Sequence, residues 1–272
     1  MIIQINVDYV ESIKAIEYLD NINLDSDSAE LEVRDILNSK IIVPYIQVTI
    51  PEGLEIYRAR KNEMFEEFTK KEQISYNPNI DKISTGRANR KGQSIFYASH
   101  NLETTLFETS SLTKFGTNVG KEIFTIGRWR VKKPFRVVTL LPQLAFSDTN
   151  TELINRYIKI ISQTLIFQNI EMRKHIEFFS NQFAKRVSGN ENSYIISSEY
   201  FNTCLERSSI KIYGMLYPSV EYEQKDLNLA LIPEAVDEFL ILDMVVKYEM
   251  TITPKNGIIL PLGIGEIKNY EF

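Results

Sequence analysis

Apolar positions change their period several times along the chain, and each change marks an element. Between Ser28 and Leu37, Leu31, Val33 and the Ile36–Leu37 pair recur at helical spacing, with Ser26 or Ser28 placed as a cap. Ile41 to Ile50 is rich in β-branched residues and stops at the turn signal Pro51-Glu52-Gly53, after which Leu54 to Arg60 reads as a strand. Ile95 to Ala98 is a short second strand, with Ile95 and Tyr97 on one face and Phe96 and Ala98 on the other. Ser99 or Asn101 can cap the helix that follows. Along that helix Leu102, Thr105, Leu106 and Thr109 form a stripe, and Glu108 lies on its flank.

The second half continues in the same manner. Ile123 to Leu141 predicts strand, bend and strand, punctuated by Pro134. Glu152 to Val187 is the most helical stretch: Leu153, Tyr157, Ile160, Ile161, Thr164 and Leu165 fall on one stripe, Phe178, Phe179, Phe183 and Val187 on a second, and Gly189 closes it. Ser197 to Arg207 predicts a short helix, and Met215 to Tyr217 and Leu227 to Ile232 predict strands. Phe239 to Ile252 and Ile258 to Leu262 flank Asn256-Gly257, a strong hairpin signal. Neither repeats nor an obvious linker interrupts the pattern, so one mixed α+β domain spanning 1–272 is expected.

Composition narrows the function. With 272 residues, 43% of them hydrophobic, the chain can bury a large core without metals or disulfides. A single cysteine, Cys204, fits a reducing compartment, and no apolar run approaches the ~20 residues of a membrane span. The first residues carry no basic flank ahead of an apolar segment, so a cytoplasmic protein without membrane contact is expected. A net charge of −5 and a pI near 5.3 weigh against broad nucleic-acid binding, while local basic clusters suit a small anion.

The chemistry concentrates between Ser84 and Glu108, STGRANRKGQSIFYASHNLETTLFE. Arg87, Arg90 and Lys91 lie between Gly86 and Gly92, then come Tyr97 and Glu108. Guanidinium forks match phosphate oxygens two at a time, and glycines let a loop backbone approach them closely. Taken singly, Arg58 and Arg87 read as solvated charges, Glu108 as one of 36 acidic residues, and Tyr97 as a sheet aromatic. No G-x-G-x-x-G opens a helix after a strand, since Gly263-Ile264-Gly265 has no helix behind it, and no Walker loop is present. His100 and His175 lie far apart without metal or nucleophile spacing, so no metal is expected; His100 belongs to a helix start. Cys204 reads as a buried small hydrophobe, and Arg128-Trp129-Arg130-Val131 as a strand with one solvated face.

Together with Tyr57-Arg58-Ala59-Arg60 upstream and Tyr217-Pro218-Ser219 downstream, the run from Ser84 to Glu108 resembles the RES family. That resemblance implies an ADP-ribosyltransferase-like fold of mixed, largely antiparallel sheets and an enzyme that consumes NAD. It implies a catalytic set of Arg58, Arg87, Tyr97 and Glu108, with Tyr57, Asn89, Ser99, Ser219 and Asn228 holding substrate. The core would run from 53 to 233 with a helical insertion at about 149–190, after an extension at 1–52 and before C-terminal strands at 234–272. NAD would be a substrate, not a cofactor, and inorganic phosphate the acceptor in an NAD phosphorylase. An Xre-type antitoxin would be the protein partner, and the extension or the insertion could cover the cleft, hold a homo-oligomer together or receive that partner.

One carboxylate is chemically sufficient for such a reaction. An ordinary glycoside needs a second carboxyl as acid, whereas nicotinamide leaves its pyridinium as a neutral molecule. The same residues would serve ADP-ribose transfer to a protein, a nucleic acid or water. Metal-free RNA cleavage and a non-catalytic nucleotide-binding module are the competing classes.

Overall fold

The strand periodicity resolves into a single sheet. The computed structural model describes residues 9–63, 66–114, 119–140, 152–164, 169–187, 189–220, 226–253 and 257–265, and among them nine strands and nine α-helices. The strands are β1 (Ile46–Ile50), β2 (Glu55–Lys61), β3 (Phe96–Ser99), β4 (Gly120–Val131), β5 (Phe135–Thr139), β6 (Gly214–Pro218), β7 (Leu227–Leu231), β8 (Leu240–Ile252) and β9 (Gly257–Gly265). Their order is β1-β5-β6-β7-β3-β2-β4-β8-β9. All neighbours run antiparallel except β5 and β6. The expected α+β class with largely antiparallel pairing is therefore correct.

The helices are α1 (Tyr9–Asp20), α2 (Ala29–Ser39), α3 (Lys71–Ile74), α4 (Leu102–Thr109), α5 (Ser111–Lys114), α6 (Glu152–Ser162), α7 (Ile170–Ala184), α8 (Ile195–Arg207) and α9 (Pro233–Phe239). The main apolar core draws on α1, α2, α7 and α8 and on the sheet, and includes Trp129, Phe96, Phe179, Phe183 and Tyr200. Phe179 stacks on Tyr200 with ring centroids 4.2 Å apart, and the buried Tyr200 hydroxyl donates to the Pro44 carbonyl at 2.7 Å. Such aromatic pairs add to area burial while the polar tip stays satisfied. A smaller cluster of Ala59, Leu106, Phe124, Ile126 and Met250 packs α4 onto β2, β4 and β8. Among the described residues no helix is long and apolar enough to cross a membrane.

Several expectations needed correction. The strand expected from Ile41 begins at Ile46, because Pro44 has no N–H to give a ladder. Ser28 takes the N-cap position of α2 without a side-chain cap bond, and Leu31 is exposed while Val33, Ile36 and Leu37 are buried. In the expected stripe of α6, Tyr157 and Ile161 are buried but Ile160 is 40% exposed. The Tyr157 hydroxyl donates to the Thr49 carbonyl, turning its own row, and not Ile160, toward β1. Leu153 and Leu165 lie outside the described side chains. α7 ends at Ala184, and Gly189, at φ +78°, belongs to a later turn. β8 and β9 pair as a hairpin through Ile252 and Gly257, while Asn256 itself lies outside the described residues.

α1 was not legible in the pattern. Its buried positions are Ser12, Ala15 and Leu19, two of them small, so little apolar contrast marks the face. The Ser12 hydroxyl lies 2.6 Å from His175 Nε2 and accepts from the Ile42 N–H at 3.0 Å, joining α1 to α7 and to the approach to β1.

Candidate active site

Local capping decides where Glu108 stands. Asn101, two residues after β3, caps α4, its side-chain oxygen accepting from the Thr104 N–H at 2.8 Å. The buried Asp226, just before β7, accepts from Asn101 Nδ2 at 2.5 Å and from the Thr104 hydroxyl at 2.7 Å. It also faces His100 Nδ1 at 3.4 Å, which leaves His100 at the helix start as expected. Thr105 bonds the Tyr57 carbonyl at 3.1 Å. The first turn of α4 is thus fixed to β2 and β7, and Glu108 follows one turn later.

Among the described residues, three donors converge on one Glu108 oxygen. Oε1 accepts from the Ser219 hydroxyl at 2.5 Å, the Val220 N–H at 2.9 Å and Asn228 Nδ2 at 2.9 Å. Asn228 is held in turn by Ser99, whose hydroxyl donates to Asn228 Oδ1 at 2.6 Å across the β3–β7 register. The Ser219 N–H is bound to the Asp226 carbonyl, so the segment after β6 and the start of β7 present their donors as a unit. Bonds of this charge-assisted kind orient a carboxylate strongly.

The cations arrive from two directions. β2 and β3 pair at Tyr57–Ser99, and beside that point Arg58 Nη1 donates to the Tyr97 carbonyl at 2.6 Å and Nε to the Ser75 carbonyl at 3.0 Å. Its guanidinium lies 5.0 Å from the centroid of the Phe96 ring. Burial, and secondarily the neighbouring Arg60, push Arg58 down to about 9, so it remains charged at neutral pH. Arg87 reaches the end of α7 instead, donating from Nη1 to the Phe183 and Lys185 carbonyls, and stacks 5.0 Å from the centre of the Tyr194 ring. A helix C-terminus is a favourable place for a cation. Among the described residues neither Arg58 nor Arg87 has an acidic partner, unlike Arg34, Arg90 and Arg128.

Tyr97 is the hinge of the cationic loop. Its hydroxyl donates to Asn89 Oδ1 at 2.8 Å and accepts from the Ala88 N–H at 2.9 Å. Burial pushes the phenol well above its ordinary value, outweighing the Ala88 donation that works the other way. Asn89 closes the loop internally, donating to the Ser84 and Arg90 carbonyls. Gly86 is required by crowding: a Cβ there would stand 2.4 Å from Asn89 Oδ1 and 3.0 Å from the Tyr97 hydroxyl. Gly92 instead serves a turn at φ +76°.

A cleft of about 470 Å³ unites these groups, with Arg58, Arg87, Tyr97, Ser99, Glu108 and Asn228 all on its wall. Three sequence candidates stand elsewhere. Ser219 is fully buried and supports Glu108 from behind, Asn89 is buried inside the loop, and Tyr57 lines a separate cleft with His100 and Glu103. Of the loop cations, Arg90 turns away to Glu199 and Lys91 is exposed, so Arg87 alone of the three faces the cleft. Sequence reasoning placed Val187 on a helical stripe, whereas the helix ends at Ala184 and Val187 lines the cleft. It missed the rest of the outer wall, Asn190, Glu191 and Tyr194, a polar segment without periodicity, and Tyr217 beside it. Only the Tyr-Pro-Ser run pointed toward Tyr217. Among the described residues no group of three or more His, Cys, Asp or Glu is placed to hold a metal ion.

Glu108 held in a fixed orientation, two cations without acidic partners among the described residues and the rings of Tyr97, Tyr194 and Tyr217 suit an anionic ligand that develops positive charge near Glu108, with Glu191 a second carboxylate on the outer wall. No curated protein matches the chain. A family model, the RES domain, matches residues 55–251, which contain every cleft residue named above. The chain therefore belongs to the RES domain family.

Proposed function

We propose that the cleft binds NAD and breaks its nicotinamide–ribose bond, with inorganic phosphate as the acceptor. The C–N bond to nicotinamide breaks and its electron pair leaves with the ring, which departs neutral. A phosphate oxygen then bonds to the anomeric carbon, giving nicotinamide and an ADP-ribose phosphorylated at that carbon. The observation that carries this reading is Glu108, whose carboxylate faces the cleft under three donors. It would steady the oxocarbenium-like sugar and accept from a ribose hydroxyl.

Arg58 and Arg87 would take the pyrophosphate and the incoming phosphate, since each lies on the cleft wall without an acidic partner among the described residues. Tyr97 would act through its ring and through the loop it holds, because its hydroxyl is committed to Ala88 and Asn89. NAD is substrate here, and no resident cofactor is invoked. Membership in a family of NAD-related, toxin-like domains supports the substrate class. The toxin role, with an Xre-type antitoxin as partner, rests on that resemblance.

Transfer of ADP-ribose to water or to a protein uses the same residues and differs in what reaches the sugar. Incubating purified protein with NAD, with and without phosphate, and weighing the products separates these outcomes. Phosphate-dependent release of nicotinamide with a phosphorylated ADP-ribose supports the proposal. Intact NAD after prolonged incubation overturns it.

A further inference from the structure

The outer wall of the cleft and the Arg87 loop are both tied to a segment that precedes the RES match at 55–251. Glu199 on α8 is fully buried and bound by two guanidinium forks. Arg34 of α2 donates from Nε at 3.0 Å to Oε2 and from Nη2 at 3.0 Å to Oε1. Arg90 of the cationic loop donates from Nε at 2.7 Å to Oε1 and from Nη2 at 2.8 Å to Oε2. A carboxylate offers about four acceptor positions, and these four bonds occupy them. Arg34 therefore sets the plane in which Glu199 can hold Arg90, three residues from Arg87.

A second tie comes from the turn before α2. Asp25 Oδ1 accepts from Asn190 Nδ2 at 2.9 Å and from Asn192 Nδ2 at 3.0 Å. Asn190 lines the cleft, and Tyr194, which stacks on Arg87, follows in the same short 3₁₀ turn. Both fastenings start within 25–34, and both end at elements that position Arg87.

We propose that Arg34 and Asp25 are positioning residues of the NAD site, holding the Arg87 loop and the Tyr194 turn in register from outside the family domain. The inference rests on the proposed NAD reading for its ligand, but its geometry stands apart from it. Either tie alone leaves Arg87 partly held by the α7 carbonyls, so the two act together.

The test compares the full chain with Arg34→Met, Asp25→Ala and the double variant, each by two readouts. Backbone hydrogen exchange is expected to accelerate about tenfold at 86–90 and 191–194 in the double variant, with α8 and β7 unchanged. The Michaelis constant for NAD is expected to rise about tenfold with turnover within about twofold, since Glu108 is not disturbed. Arg34→Lys restores the charge without the fork and is expected to fall between wild type and Arg34→Met. Unchanged exchange at both segments overturns the proposal. So does acceleration spread evenly over the core, which marks a merely structural role. Exchange needs no NAD, so a wild type that fails to cleave NAD removes the function while this arm still decides the positioning claim.

Discussion

Replacing Glu108 with glutamine removes one charge and almost no volume. Glutamine keeps an oxygen that Ser219, Val220 and Asn228 can still address, so the backbone arrangement should persist. Three charge-assisted bonds become neutral ones, but the side chain also sheds the cost of holding a charge in a partly buried place. A net loss of about 1–2 kcal/mol in stability is expected, read as a shift in the urea midpoint. The effect on chemistry is larger. A carboxylate about 4 Å from an oxocarbenium carbon, at an effective dielectric of about 20, contributes on the order of 4 kcal/mol. That corresponds to roughly a thousandfold in rate, and losing one transition-state-stabilising group elsewhere costs about 10²–10³-fold. Turnover of NAD by Glu108→Gln should therefore fall at least about a hundredfold, while ADP-ribose affinity, measured calorimetrically, changes little. A folded variant with turnover within about threefold of wild type would refute the assignment of Glu108.

Other expectations follow from the same geometry. Arg87→Ala should raise the Michaelis constant for NAD about ten- to a hundredfold with a smaller effect on turnover; an unchanged constant in steady-state assays would reduce Arg87 to a brace on α7. Tyr97→Phe leaves Asn89 Oδ1 and the Ala88 N–H without their bonds, so urea unfolding should show a loss of about 1–3 kcal/mol. An unchanged midpoint would mean the loop does not depend on that hydroxyl. Acid should loosen the Glu199 junction. Burial opposes its charge, but the bonds from Arg90 and Arg34 hold it below the ordinary value of 4.5. With the folded value depressed, the stability it contributes is complete above 4.5 and is lost as pH falls through the folded value. Removing Arg34 lessens that depression, so urea midpoints of Arg34→Met should fall less on acidification than those of wild type, and coincident profiles would show that Arg34 does not hold Glu199.

Much of the site was legible because its residues are close in sequence. Arg87, Tyr97 and Glu108 sit on a loop, a strand and a helix in direct succession, so their convergence needs only short connections. Roles were less legible than positions. Ser219 and Asn228 looked like ligands for substrate, yet both spend a donor on the Glu108 carboxylate. Arg90 and Arg87 have the same chemistry in the same loop, and nothing local says that one turns to Glu199 while the other faces the cleft.

Short-range pattern alone determined that this chain forms a mixed α+β fold and gathers arginines, a tyrosine and a glutamate near one strand. Period and turn chemistry act over a few residues, and those signals survive without the rest of the molecule. Partnership is different, because a guanidinium is neutralised or left available by residues a hundred or more positions away. Tertiary packing decided that Arg34 and Arg90 share one buried carboxylate, that Tyr194 walls the cleft, and that Arg58 and Arg87 stand on that wall without an acidic partner among the described residues. A buried charge must find its counterpart in space, and distance along the chain does not enter that requirement.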